Sequence, residues 1–584
     1  MRRLQQALRN EQLILFALAA VLGVTTGYGV IGFRYLIGLF QLVSYGSDSE
    51  AHLATIVGSL PAWQVLLAPT LGGLLIGLFV YYVMPGRRNY GVADIMEACA
   101  ARGGRMDWRA GAGAALAAAA SVGVGASVGR EGPAVHLGAS ISAWVAERLR
   151  LSRSLSLTLV GCGAAAAVAA SFNAPIAGVF FALEVVVGQY ALNVFAPVVV
   201  ASVAATVVMR AHLGDIPAFL SVPDYFIGSP VVEVPAFILL GVVSAAVATT
   251  FMYAAFFIQD AMARLVLPPW LRPAIGGLAI GVIALAFPHV LGVGYEATDL
   301  ALMQALPLSL MMALVVAKLV ATAVALGSGF AGGVFSPSLF LGAMTGGAFG
   351  IVVASAFPEY ASSYGAYAVM GMAGVAAAVL GAPISTILIM FELTSNYQLT
   401  IAVMITAVLA SMLTRQLGQR SFFVWQLERR GVDVGRAQEA SLLSAIPVHE
   451  LISRDYVLVS QGATLQEIRQ LMACECPALL LVVDEKKRLC GYLDTADVIQ
   501  AVLSEGSTAQ AVAGDIARPS DTAILPHTSL DRALGLIGAN EMGYLPVVDD
   551  LEQRHVVGVI FHKDLVLAHN RALLQARARE RGDK

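Results

Sequence analysis

From Leu13 to about Leu413 the chain is apolar almost throughout, broken only by short stretches rich in glycine and proline. So much hydrocarbon cannot be hidden in a water-soluble core, and it covers many times the ~20 residues a helix needs to cross a bilayer. Hydrophobic residues make up 58% of the 584 and charged ones only 13%. The fold class expected is a mostly α, polytopic membrane protein, followed after Leu413 by sequence of ordinary soluble composition. Arg2, Arg3 and Arg9 precede the apolar segment Leu13–Val24, which runs on without a processing site and reads as a first membrane helix. Basic residues gather at 2–9, 87–88, 102–109, 148–153 and 415–430, whereas 47–54 and 289–299 hold no Lys or Arg. The positive-inside rule then puts both termini in the cytoplasm, and the membrane expected is a bacterial inner one.

Within this apolar sequence Gly129-Arg130-Glu131-Gly132-Pro133 places a buried-looking arginine and glutamate where a loop turns into a proline-opened helix. Intramembrane charge marks function more often than packing, and the free N–H groups of a helix start attract anions. The segment is repeated. Gly123, Gly125, Gly129 and Pro133 recur in register as Gly327, Gly329, Gly333 and Pro337, and Ala174-Pro175-Ile176…Glu184 recurs as Ala382-Pro383-Ile384…Glu392. Offsets of 204 and 208 residues nearly agree. Helices broken at matching places in two halves predict an anion site near the bilayer midplane, at the repeat interface. Close packing of small residues explains the glycines but not Glu131. Lys318, alone in Ala313–Ala325, is expected to snorkel or to pair with a carboxylate, adding positive potential.

Several classes are set aside at this level. The five cysteines form no disulfide framework, and Cys474-Glu475-Cys476 has no second ligand pair at zinc spacing, so no metal is expected. A net charge of −3 gives no footprint for nucleic acid. No nucleophile, base and orienting group come together, so neither enzyme chemistry nor a required cofactor is expected.

The three segments at 129–133, 161–178 (Gly161-Cys162-Gly163…Phe172-Asn173-Ala174-Pro175-Ile176-Ala177-Gly178) and 332–337, in this order and within a repeat, resemble the CLC chloride channels and exchangers. The resemblance implies an inverted repeat of broken and re-entrant helices over residues 1–430 (repeats at about 1–210 and 230–425), chloride or a similar anion as substrate, and a homodimer in the lipid bilayer. It also implies that Glu131 is the gating glutamate, leaving its place when protonated or displaced by an anion. Tyr90, Gly91, Arg130, Gly132, Val334 and Phe335 fall at the family's anion site, with Arg130 shaping the field rather than ligating. Three departures follow. Tyr90 stands where serine or histidine is usual, so that it either supplies the only hydroxyl of the central site or packs there and blocks it. Phe423 stands where tyrosine is usual and leaves an apolar inner gate, because a phenyl ring donates no O–H bond. Val185 stands where exchangers carry an inner proton-relay glutamate. Glu184 is adjacent but points about 100° away on a helix, and with Glu392 at its repeat position a shared structural role is expected.

Residues 431–444 read as a linker, and the soluble part is itself duplicated over 445–506 and 510–571. Val482-Val483-Asp484 precedes Gly491 and Asp497 as Val547-Val548-Asp549 precedes Gly558 and Asp564, with helices over 465–472 and 530–537 after Thr464 and Ser529. This resembles a tandem CBS module, a soluble α/β pair. In nucleotide-binding members an aspartate at Asp497 or Asp564 holds ribose and a hydroxyl such as that of Thr495 lies near phosphate. Adenine-nucleotide binding and plain helix capping therefore both remain for these aspartates. Residues 572–584 form a charged tail. Three functions stay open: a passive chloride channel, favoured by Val185, a proton-coupled exchanger, and a non-conducting sensor.

Overall fold

The computed structural model describes residues 11–188, 192–214, 225, 232–418, 420–433, 448–475, 479–503, 512–520, 522–540 and 543–581. Arg2, Arg3, Arg9, Cys476 and most of the expected linker lie outside them, as do the side chains of Thr495 and of the tail. The chain forms two compact units, Met1–Val434 and Gly435–Lys584.

Among the described residues of the first unit, nine helices are long and apolar enough to cross a membrane. Between them sit helices far too short to do so: Val92–Ala101, Pro175–Phe181, Tyr295–Leu302 and Pro383–Thr394. The breaks obey local chemistry. The helix Arg153–Phe172 ends where Asn173 turns left-handed (φ 57°), and Pro175 starts the next helix; Tyr364–Leu380 ends at left-handed Gly381 (φ 69°), and Pro383 starts the next. Proline costs nothing in a first helical turn and a left-handed residue satisfies the last carbonyls, so each pair makes a sharp corner.

Packing repeats as well. Gly138 of Glu131–Arg148 lies against the backbone of Gly163 in Arg153–Phe172, and Gly342 of Phe335–Ala356 lies against that of Gly371 in Tyr364–Leu380. A Cβ at any of the four would run into the partner's carbonyl oxygen. With lipid offering no hydrophobic drive, this close approach is what holds the helix pairs together.

The second unit carries a sheet in which Val457–Ser460 pairs parallel to Leu480–Val483, itself antiparallel to Leu489–Leu493, which then pairs with Arg518–Pro519. Tyr544–Val548 and Val556–Phe561 form a second antiparallel pair. Each hairpin shifts register at the same place, between Val482 and Val483 and between Val547 and Val548. The sequence duplication is therefore carried down to the bulge. The helices expected after Thr464 and Ser529 are present, as Leu465–Glu475 and Leu530–Asn540.

Candidate functional site

The two glycine-broken segments meet. Gly129 N–H donates to Gly333 O and Gly333 N–H to Gly129 O, both at 2.7 Å. From this bridge the chain enters a helix on each side, Glu131–Arg148 and Phe335–Ala356. Each starts two residues before its proline, rather than at it. The first helical bonds run from Ala134 N to Arg130 O and from Ser338 N to Val334 O. The earlier N–H groups, those of Glu131, Gly132, Phe335 and Ser336, have no acceptor inside a helix. Two positive helix ends thus converge on one point from the two halves.

Glu131, 1% exposed, occupies that point. Its Oε1 accepts from the Ser336 hydroxyl of the opposite half and, at 3.3 Å, from the Tyr295 hydroxyl. Its Oε2, by contrast, finds no hydrogen-bond partner among the described residues. A Cβ at position 129 would lie 2.9 Å from Oε2 and 3.1 Å from Gly333 O, so glycine is what leaves room for the carboxylate.

A cavity of about 410 Å³ reaches Glu131 from one side, lined by Tyr90, Gly91, Gly132, Val334, Phe335 and Phe423 together with Arg88 and Arg430. Six of the residues named from sequence are therefore brought together with the glutamate. Phe335 is wedged between Phe172 and Phe181, with ring centroids 4.9 and 6.0 Å away, which fixes the helix start. Phe423 is buried at the start of Phe422–Arg429, whose neighbour Arg430 binds Asp94 at 2.9 Å, as does Arg88 at 2.5 Å.

Three expectations are corrected. Arg130, grouped with the anion-site residues, does not line this cavity. Its guanidinium turns to the opposite side, where it ion-pairs with Glu50 and lies 4.9 Å over the Tyr295 ring, lining a second cavity of about 590 Å³ with Arg34, Asp48 and Asp299. Tyr90 is not the only hydroxyl at the centre. Its O–H donates to Pro85 O at 2.8 Å and its ring packs against Arg88 and His136, while Ser336 and Tyr295 supply the hydroxyls that reach Glu131. Lys318 neither snorkels nor meets a carboxylate. Fully buried, it donates to Val290 O at 3.0 Å and Gly292 O at 2.9 Å, because a buried ammonium needs acceptors and buried carbonyls need donors.

Val185 is buried within a single π-helical turn, Ala182–Val187. Next to it, Glu184 accepts from Ile384 N, Ser385 N and the Ser385 hydroxyl, while Glu392 accepts from Ile176 N and Ala177 N. Each glutamate caps the proline-started helix of the other half. The shared structural role expected for the pair is thus visible as geometry.

In the second unit, Asp497 accepts from Arg518 Nε at 3.0 Å and from Asp494 N at 3.2 Å, which is the capping arrangement with an added ion pair. Asp564 lies in the first turn of His562–Arg581.

Sequence reasoning missed Tyr295, Ser336 and Glu50. Ser336 was within reach, since it follows Phe335 inside the repeated segment. Tyr295 and Glu50 belong to no motif and meet the site only through folding.

A family model described as voltage gated chloride channel matches residues 72–415, and the CBS domain model matches 448–504 and 513–570. The voltage-gated ClC-type chloride channel ClcB of Escherichia coli is 32% identical over 412 residues, 70% of this chain and 97% of that protein. Among solved structures, a slow cyanobacterial Cl⁻/H⁺ antiporter superposes with a TM-score of 0.64 at 24% identity, over 71% of this chain and 97% of its own. A eukaryotic CLC transporter does so with a TM-score of 0.61 at 17% identity, over 94% of this chain and 97% of its own.

Proposed function

We propose, from the premise that this chain belongs to the voltage gated chloride channel family, that it is a chloride-conducting membrane protein whose gate is Glu131. The observation that carries this reading is a carboxylate lodged between two opposed helix starts and held by the Ser336 and Tyr295 hydroxyls, in a place whose donors and positive helix ends would serve an anion equally well. Chloride and the carboxylate compete for one positive site. When Glu131 is displaced, the anion passes between the arginine-lined cavity and the cavity behind Arg130. By the positive-inside rule the first faces the cytoplasm.

Passive conduction is the favoured mode. Val185 carries no proton, and Glu184 is committed to Ile384 and Ser385, so neither relays protons from the cytoplasmic cavity. Proton-coupled exchange is the second reading, favoured by the antiporter that shares this fold. Liposomes loaded with chloride, with external chloride and pH recorded together, separate the two. A channel dissipates the chloride gradient with no stoichiometric proton movement, whereas a chloride gradient that drives protons uphill overturns the channel reading. Flux of neither ion overturns both and leaves the sensor.

The rest of the proposal follows the family. The membrane part acts as a homodimer, both termini lie in the cytoplasm of a bacterial inner membrane, and the CBS pair regulates the pathway. Adenine nucleotide, if bound there, is expected at Asp564 rather than Asp497, whose carboxylate is held by Arg518. Calorimetry with ATP, ADP and AMP tests this.

A further inference from the structure

We propose that Tyr295 is a positioning residue, a fixed latch that holds Glu131 in its closed place from the side of the second cavity. The inference deepens the proposed function and rests on Glu131 being the gate. Its basis is a difference in freedom between the two ends of one hydrogen bond. Glu131 is a single side chain that must leave for an anion to pass. Tyr295 is anchored at every level and cannot follow it.

The anchoring begins in the backbone. Tyr295 opens the helix Tyr295–Leu302 directly after left-handed Gly294 (φ 91°). The loop before it is tied down by Lys318, whose ammonium holds the carbonyls of Val290 and Gly292. The residue after it, Glu296, accepts from Ala54 N at 2.7 Å and from Thr55 N, locking the helix to the 53–58 segment. The ring itself is clamped under the Arg130 guanidinium, which in turn ion-pairs with Glu50. Tyr295 also lines the second cavity, whereas Glu131 lines the first, so their 3.3 Å bond spans the barrier between the two. Any anion crossing that barrier requires this bond to be broken.

A latch of this kind changes how often the site is open, not how fast an open site conducts. An anion that can enter only the open fraction binds with an apparent affinity lowered by that fraction. Loosening the latch therefore lowers the chloride concentration needed for half-maximal flux and leaves the limiting flux in place.

The test is chloride efflux from liposomes, as a function of chloride concentration, for four proteins: wild type, Tyr295→Phe, Glu131→Ala and the double variant. Tyr295→Phe deletes one oxygen and keeps the ring under Arg130. Removing one hydrogen bond to a carboxylate is expected to lower half-saturating chloride roughly three- to tenfold in the Glu131 background. In the Glu131→Ala background the same change is expected to do nothing. A half-saturating concentration equal to that of wild type overturns the latch. So does an equal shift in both backgrounds, which would mean that Tyr295 acts on the anion or on packing. If neither wild type nor Glu131→Ala moves chloride, the proposed function fails and the latch falls with it; if both do, only the latch is being judged.

Discussion

The two halves of the membrane unit agree at one pair of carboxylate positions and disagree at another. Glu184 and Glu392 are repeat partners, and each caps the other half's short helix with the same pair of backbone donors. Glu131 has Phe335 as its partner, so at the meeting of the two helix starts only one half brings a charge. A site built on a two-fold repeat is an empty, symmetric anion cradle. Under the proposed function, one half filling it with a carboxylate and the other with an aromatic ring turns the cradle into a gate. Where the repeat keeps its chemistry, the residue caps a helix; where it breaks it, the residue is the one proposed to gate the pathway.

Several measurements can break this contrast. The largest effect is expected at the asymmetric position. Glu131→Ala should raise chloride efflux at low chloride by on the order of tenfold or more, because the site no longer waits for the carboxylate to leave; an unchanged rate would take Glu131 out of the pathway. Glu184→Gln and Glu392→Gln should behave alike. Each weakens a charge-assisted cap, at about 1 to 2 kcal/mol of stability, and lowers the unfolding temperature of the purified protein. Flux per reconstituted molecule should stay the same in both. A variant that altered conduction in only one half would show that the symmetric pair is not merely structural.

Smaller effects sharpen the picture. Since the Tyr90 hydroxyl donates to Pro85 O, Tyr90→Phe should leave chloride affinity unchanged and cost about 1 kcal/mol of stability. A weakened affinity would return Tyr90 to the anion site. The soluble duplication gives the smallest test. Thr464 and Glu467 form a reciprocal capping box, but Arg532 stands where the second repeat would need its glutamate. Thr464→Ala should cost about 1 kcal/mol and Ser529→Ala less, read as faster amide exchange at the start of each helix. The Thr464 N–H and hydroxyl hold the Glu467 carboxyl below its ordinary range. A lowered folded-state value means that this contribution is complete above the ordinary carboxylate range and is lost as pH falls through and below it. Protection at Leu465–Ile468, taken relative to the intrinsic exchange rate at each pH, should fall there, and a loss of protection near neutral pH would contradict the cap.

Much of this was legible without coordinates, for reasons that are local. A glycine followed by proline four residues on, a lone glutamate in alanine-rich sequence, and register-matched repeats are properties of short segments. They were enough to find Glu131, its facing helix at Phe335 and the cap pair Glu184–Glu392. The failures share one cause. Whether Tyr90 aims its hydroxyl at an anion or at Pro85, and whether Arg130 shares a cavity with the glutamate beside it, are questions of side-chain direction. Local spacing carries no information on either direction. Lys318 illustrates the same point: a buried ammonium needs acceptors, and backbone carbonyls of a loop 26 and 28 residues away supply them as well as a carboxylate would.

Apolar length and periodic glycine and proline determined by themselves that this chain enters a membrane, doubles back in two related halves and leaves helix starts inside, because each of those outcomes depends on composition and spacing. What closes the site was decided only by the tertiary structure. Ser336 comes to Glu131 from 205 residues away and Tyr295 from 164, and Glu50 reaches Arg130 across 80. Contacts at such separations exist only once the two halves have packed, and they fix which donors hold the Glu131 carboxylate.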